Sequence, residues 1–245
     1  MLAVQRRNQI LNILDEKGAV TVNQLHRQLK VSQETIRRDI TKLASDNRLL
    51  KTHGGALLMD VVEPEFEARL EVNSEGKKAI GIAAAELVGD GTSLIIDSGT
   101  TTLCLAEALI RRQSLTVFTN DLHVAGKLAG LNNNRVHLLG GEMIGNEGAT
   151  AGLDTNTMLQ NYLTDFSFIG ASALDASTLL TDYSREIAEL RGQMLSQAKV
   201  SVLLADYTKF AKRAPVRVNH MDKLSYMVCD EKPPMAIAES IANLD

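Results

Sequence analysis

Residues 21–43, TVNQLHRQLKVSQETIRRDITKL, constrain this chain more than any other stretch, because they read as two short amphipathic helices around a tight turn. Val22, Leu25 and Leu29 recur at helical spacing, Val31 follows at the turn, and Ser32 stands where a helix N-cap belongs. Beyond it, Ile36, Ile40 and Leu43 form one apolar stripe, which leaves Gln33, Glu34, Thr35, Arg37, Arg38 and Lys42 facing outward. Amide, hydroxyl and guanidinium groups on one helix face match base edges and phosphates. The pattern therefore predicts a helix-turn-helix that reads a double-stranded DNA operator. The blander reading is a small helical bundle with merely solvated charges, whose outward face would be less selective in residue type.

The flanks extend the prediction. Ile10, Ile13 and Leu14 lie on one side of a supporting helix that Gly18 ends, and residues 48–55, RLLKTHGG, have the composition of a hairpin wing that brings Lys51 and His53 to the adjacent backbone. Residues 1–55 carry ten Lys or Arg against five acids, a net of +5, which leaves −9 on the remainder. A basic head on an acidic body suits a chain that sets only its N-terminal face against a polyanion.

Residues 57–75, with Pro64, a scatter of glutamates and little periodicity, read as a linker anchored by Phe66 and Leu70. The expected division is a winged helix-turn-helix at 1–56, the linker at 57–75 and a larger domain at 76–245. From Lys77 onward, helical stretches alternate with short apolar runs, TSLIID, LTVFT, RVHLL, FSFIG and VSVLLA, as buried parallel strands do. That predicts an α/β sheet with helices on both sides, which binds ligands at the carboxyl ends of its strands.

Several polar groups fall at those ends. Asp97, Ser98, Gly99, Thr100, Thr101 and Thr102 join a strand to a helix, and read equally well as a capped helix start and as a cradle for an anion. No Gly-Lys-Ser/Thr follows, so the stretch is not a Walker loop. Thr119 and Asn120 suit sugar hydroxyls or a helix cap, while Gly140 and Gly141, followed by Glu142, suit a turn beside a ligand or a plain strand end. Asp182, Glu186 and Arg191 are either pocket groups or a solvated helix face, and Asp206 and Lys209 close the last core strand, where a lysine can neutralise a phosphate or carboxylate.

SQETIRRDITKL at 32–43 followed by KTHGGA at 51–56 is similar to the signature of the DeoR family of bacterial transcriptional regulators. DSGTTT at 97–102, Thr119-Asn120 and Gly140-Gly141-Glu142 resemble that family's effector domain in order and spacing, so the likeness covers nearly the whole chain. It implies a winged helix-turn-helix followed by a Rossmann-like α/β effector domain akin to ribose-5-phosphate isomerases and coenzyme A transferases. It also implies phosphate binding by 97–102, with Asp206 and Lys209 matching the family's Asp-x-x-Lys-Phe segment. Two departures stand out: Arg191 falls where the family commonly has lysine, and Ala211 where it usually has glycine. Arginine holds phosphate in a planar fork rather than as a point charge.

Cys104 and Cys229 lie far apart with no metal-ligand spacing, no apolar run reaches the length of a membrane span, and no secretory leader opens the chain. The expectation is a cytoplasmic regulator without metal or cofactor, a repressor of a carbohydrate or polyol operon released by a phosphorylated sugar or polyol. Because one such DNA reader spans few base pairs, a homo-oligomer, dimer or tetramer, is expected with it. The competing reading is an isomerase-like enzyme with a fused DNA-binding domain, for which Asp97, Asp182, Glu186 or Lys209 would be the general base.

Overall fold

The computed structural model describes residues 3–45, 48–52, 54–57 and 63–244, which divide into two compact units, Met1–Pro64 and Glu65–Asp245. His53 and residues 58–62 of the expected linker lie outside the described residues.

In the first unit α1 (Ala3–Lys17) ends where Gly18, at φ 70°, donates its N–H to the Leu14 carbonyl. β1 (Ala19–Thr21) follows and runs into α2 (Val22–Leu29), α3 (Gln33–Ser45) and a hairpin of β2 (Leu50–Lys51) and β3 (Gly55–Leu57). The hairpin is the expected wing. Its unanticipated partner is β1, which pairs antiparallel with β3 to give the order β1-β3-β2. Gly55 is what permits this, since a Cβ there would stand 1.9 Å from the Val20 carbonyl oxygen. Ile10, Leu14, Leu25, Ile36 and Ile40 are fully buried beneath the helices, each contributing about 1.5–3 kcal/mol of transfer free energy.

The second unit opens with a correction. Phe66–Glu71, inside the stretch expected to be linker, forms a helix, α4, in which Phe66 and Arg69 are buried while Leu70 is 40% exposed. After it, α5 (Ser74–Ala85) leads into β4 (Ser93–Ile96), α6 (Thr100–Ala108) into β5 (Thr116–Thr119), and α7 (Leu122–Leu128) into β6 (Arg135–Leu138). A short hairpin of β7 (Glu142–Met143) and β8 (Thr150–Ala151), with α8 (Leu153–Leu159), precedes β9 (Thr164–Gly170). Then come β10 (Ala173–Asp175), β11 (Leu179–Asp182), α9 (Arg185–Ser196), β12 (Ala198–Leu204), β13 (Val216–Arg217), β14 (Leu224–Val228) and α10 (Met235–Ala242).

Six of these strands make one parallel sheet in the order β14-β12-β9-β4-β5-β6. Successive side chains pass to opposite faces. Leu94, Ile96, Phe168, Val202 and Leu204 meet Ile80 and Ala84 of α5, Leu105 of α6 and Val124 of α7, while Ile95, Ile169 and Leu203 meet Ala188, Met194 and Leu195 of α9. The chain steps outward from β4 to β6, then returns to β9 on the other side of β4. That reversal opens a crevice at the carboxyl ends of the central strands. A second small sheet, β10-β11-β13, brings the end of β11 against α9 beside that crevice.

Candidate functional site

The DNA-reading helix is built from its caps outward. A capping box starts α2, with the Thr21 hydroxyl accepting from the Gln24 N–H at 3.1 Å and the Gln24 side chain accepting from the Thr21 N–H at 2.8 Å. Lys30, at φ 54°, ends α2 in the left-handed conformation, and the ring Nδ1 of His26 lies 2.7 Å from the Val31 carbonyl oxygen across the turn. Ser32 then caps α3, accepting from the Thr35 N–H, with its hydroxyl 2.9 Å from that of Thr35. Ser32 and Thr35 are thus committed to the turn, and Gln33 donates to Asn23 at 2.7 Å.

Glu34, Arg37, Arg38 and Lys42 remain on the open face, where with Thr41 and Lys51 they line a groove of about 460 Å³. Lys51 of the wing donates to the Thr41 hydroxyl at 2.9 Å, tying the hairpin to the helix. Arg38 and Glu34, 3.9 Å apart, are both largely exposed, so their pairing is worth little. Asp39 alone points inward, and it is held by the Arg6 guanidinium of α1 through two hydrogen bonds. The sequence reading missed this pair, which fixes the orientation of α3 from beneath.

In the second unit, Asp97, Thr102, Thr119, Asn120, Asp182, Arg191 and Asp206 are all buried around the strand ends. Asp97 accepts from the Gly170 N–H at 3.0 Å and from the Arg191 Nε at 2.7 Å. The Arg191 Nη1 donates to Asp182 and, at 2.9 Å, to the Ser172 hydroxyl, which itself donates to Asp182. Arg191 is therefore not the open phosphate fork anticipated; two carboxylates clamp its Nε and Nη1 edges. Such a cluster is stable only while every charge keeps its partner.

Other expectations are redistributed. The Gly99 N–H donates to Asp121, which also caps α7 through His123 and Val124, and burial pushes the Asp121 carboxyl up from its ordinary value against those three backbone hydrogen bonds. The Thr102 hydroxyl donates back to Gly99, and that of Thr119 accepts from the Asp121 N–H. Glu186 is exposed and accepts from Ser184, and Gly140 and Glu142 are also exposed, so these three stand outside the buried cluster. Gly141 has a packing role, since a Cβ there would lie 2.2 Å from the Thr155 hydroxyl. Lys209 is half-buried in a helical turn started by Asp206, whose side chain accepts from the Thr208 N–H.

Two features have a chemical use. No side chain caps α6, whose N-cap is Gly99 at φ 139°, so the first-turn amides of Thr100, Thr101 and Thr102 form a positive helix start. At the carboxyl ends of β4, β5 and β12, Asp97 Oδ1, Asn120 Oδ1 and Asp206 Oδ2 are buried with no hydrogen-bond partner among the described residues. Buried oxygens of that kind are rare in native structures. A groove of about 610 Å³ along α5 and α6, lined by Ile82, Glu86, Glu107 and Arg111, contains none of these groups. Among the described residues no group of three or more His, Cys, Asp or Glu is placed to hold a metal ion, and no helix is long and apolar enough to cross a membrane.

Comparison with known proteins follows the same division. Residues 6–62 match the family described as a DeoR-like helix-turn-helix domain, and residues 72–231 the DeoR C terminal sensor domain. The Glycerol-3-phosphate regulon repressor of Escherichia coli is 29% identical over 244 residues, covering 99% of this chain and 97% of its own length. The HTH-type transcriptional regulator GolR of Listeria innocua is 31% identical, over 95% of this chain and 92% of its own. Among solved structures, the full-length sorbitol operon regulator SorC from Klebsiella pneumoniae aligns over 100% of both chains at 12% identity and a TM-score of 0.44. Ribose 5-phosphate isomerase A from Methanocaldococcus jannaschii aligns over 58% of this chain and 56% of its own, at 18% identity and a TM-score of 0.43. With a helix-turn-helix carried on its own small core, a sensor domain behind it and both halves matched, the chain is a DNA-binding transcriptional regulator of the DeoR family.

Proposed function

We propose that this regulator represses genes for the use of a sugar or polyol, and that a phosphorylated sugar or polyol bound at the carboxyl ends of β4, β5 and β12 releases it from DNA. The observation that carries this reading is the conjunction of an uncapped helix start with three orphaned acceptors, Asp97 Oδ1, Asn120 Oδ1 and Asp206 Oδ2. An anion suits the former and hydroxyl donors suit the latter, and a polyol phosphate carries both. Several relatives are named as repressors, including one of a glycerol-3-phosphate regulon.

The enzyme reading is weaker on the same geometry. Asp97 and Asp182 are tied to Arg191, and Glu186 faces solvent, which leaves three of the four nominated bases unsuited to proton abstraction. Release from DNA requires the effector to prefer the DNA-free conformation, whatever its absolute affinity. The working division is a DNA-reading head, a short join and a sensor that also carries oligomer contacts, at least a dimer, because one helix-turn-helix reads too few base pairs to be selective.

Operator binding followed by fluorescence anisotropy, against matched pairs of phosphorylated and unphosphorylated sugars, tests the reading. The phosphorylated member of one pair should release the protein and its parent should not. Thr100→Ala/Lys209→Ala should bind operator normally and ignore the effector. A parent sugar that acts as well as its phosphate, or a wild-type response in the double variant, would end the proposal.

A further inference from the structure

α5 runs into β4 and α6 runs out of it, so both helices start at the carboxyl edge of the parallel sheet and descend side by side. They touch at Gly81, where a Cβ would lie 2.6 Å from the Cys104 carbonyl carbon. Below that contact opens the groove of about 610 Å³ along the two helices. Its lower end is fixed: the Arg112 Nη2 donates to the Ala85 carbonyl at 3.2 Å, and Asp90 accepts from the Gln113 N–H at 2.8 Å, which ties the turn after α6 back to α5 and the loop that leaves it.

The groove is apolar where it meets water. Ile82 of α5 is 60% exposed and Ile110, just beyond α6, is 38% exposed, and both line it. Adjoining apolar surface of that kind is released from water only when something covers it. Its charges say what fits. Glu107 is paired with Lys127 at 2.7 Å, but Glu86 and Arg111 are exposed and have no ion pair among the described residues. A groove for a polyanion or an anionic lipid would not set Glu86 and Glu107 along its walls. A surface that meets its own copy needs charge of both signs, because a two-fold axis brings the patch against itself.

Geometry allows the match. Glu86 follows Gly81 by five residues and Arg111 follows Cys104 by seven, so the two charges stand within about one helical turn of the same level. A two-fold axis along the groove sets α5 of one copy over α6 of the other. Each Glu86 then faces the partner's Arg111, and the isoleucines of both copies close between the two pairs.

We propose that the α5–α6 groove is the surface on which a second copy of this chain docks, groove against groove, through Ile82, Ile110 and reciprocal Glu86–Arg111 pairs. The inference rests on the reading that the sensor carries the oligomer contacts, and it gives those contacts a place.

Sedimentation of the full-length chain tests this with Glu86→Arg and Arg111→Glu, each alone and the two mixed. Both positions are exposed, so neither change should disturb the fold. Each variant alone sets like charges opposite each other twice and should associate at least about tenfold more weakly than wild type. Mixed in equal amounts, the two variants offer each other opposite charges at both pairs, so the wild-type assembly should return. In wild type, amide exchange over residues 82–87 and 107–112 should slow across the concentrations at which the chain assembles, a measurement that needs no variant. Single variants that assemble as wild type does would give the groove to a different partner and overturn the proposal, with the oligomer reading left standing. A mixture that stays as small as its components, or exchange that ignores assembly, overturns it in the same way. A wild type that sediments as a monomer at every concentration overturns both.

Discussion

Arg38 and Glu34 on the recognition helix are 81% and 67% exposed, while Arg191, Asp97 and Asp182 in the sensor are 5%, 0% and 2% exposed. Both groups carry charge, yet water does different things for them. A surface that meets the phosphate backbone needs mobile cations that exchange counterions for phosphates, and neighbours that bind them tightly would defeat the purpose. A site that recognises a small polar molecule needs dry groups fixed before the ligand arrives, and in such a place every charge left without a partner is costly. Among the described residues of the head, Arg6 with Asp39 is a part-buried pair nearer the second kind, and it lies on the side of α3 turned away from solvent.

The strongest way to break this comparison is to remove Arg191. Arg191→Met strands two buried carboxylates and should destabilise the sensor by about 3–5 kcal/mol, measured by urea unfolding, with Asp97→Asn/Asp182→Asn in the same chain recovering most of the loss. Arg38→Met should cost no more than about 0.5 kcal/mol in the same assay. Equal costs would mean that burial does not separate the two regions.

An intermediate effect sharpens the DNA side. Arg37→Ala should weaken operator binding by about 1–3 kcal/mol and relax sequence preference, whereas Lys42→Ala should weaken all sequences alike and reduce the salt slope by about 1. Anisotropy across operator variants and salt concentrations separates the two; identical behaviour would show that neither residue reaches a base. The smallest effect concerns acid. The Ser93 hydroxyl, Lys199 and the Ser93 N–H hold the Asp165 carboxyl well below the usual carboxylate range. Its stabilising contribution is present above the ordinary value of about 4 and is lost as pH falls through the lower folded-state value. Asp165→Asn should therefore lower stability slightly at neutrality and leave it unchanged in strong acid, which flattens the acid side of the profile, as thermal melts against pH will show.

Strands buried on both faces were readable because their side chains need no polar alternation, which is why β4, β5, β9 and β12 could be placed from SLII, TVFT, SFIG and VSVLL. β14 was not, since Ser225 and Tyr226 lie exposed on an edge strand and break the apolar run. α4 escaped for a related reason: its sequence FEARLE looks solvated, but one of its inward residues is an arginine neutralised by Glu147, 78 positions away. The helix-turn-helix was legible because its caps, its stripe and its basic face lie within one short stretch. In the sensor, individual groups could be named but not their partners. Arg191 reaches Asp97 across 94 residues, and local periodicity carries no information over that distance.

Gly81 sets a dimension rather than a contact. Because it has no side chain, α5 and α6 approach until backbone meets backbone, and that approach fixes the gap between the starts of the two helices at the carboxyl edge of the sheet. A methyl group at this position acts as a shim. It widens the gap without altering any group at the strand ends, so the width of the crevice is adjustable from a position a full turn below its rim.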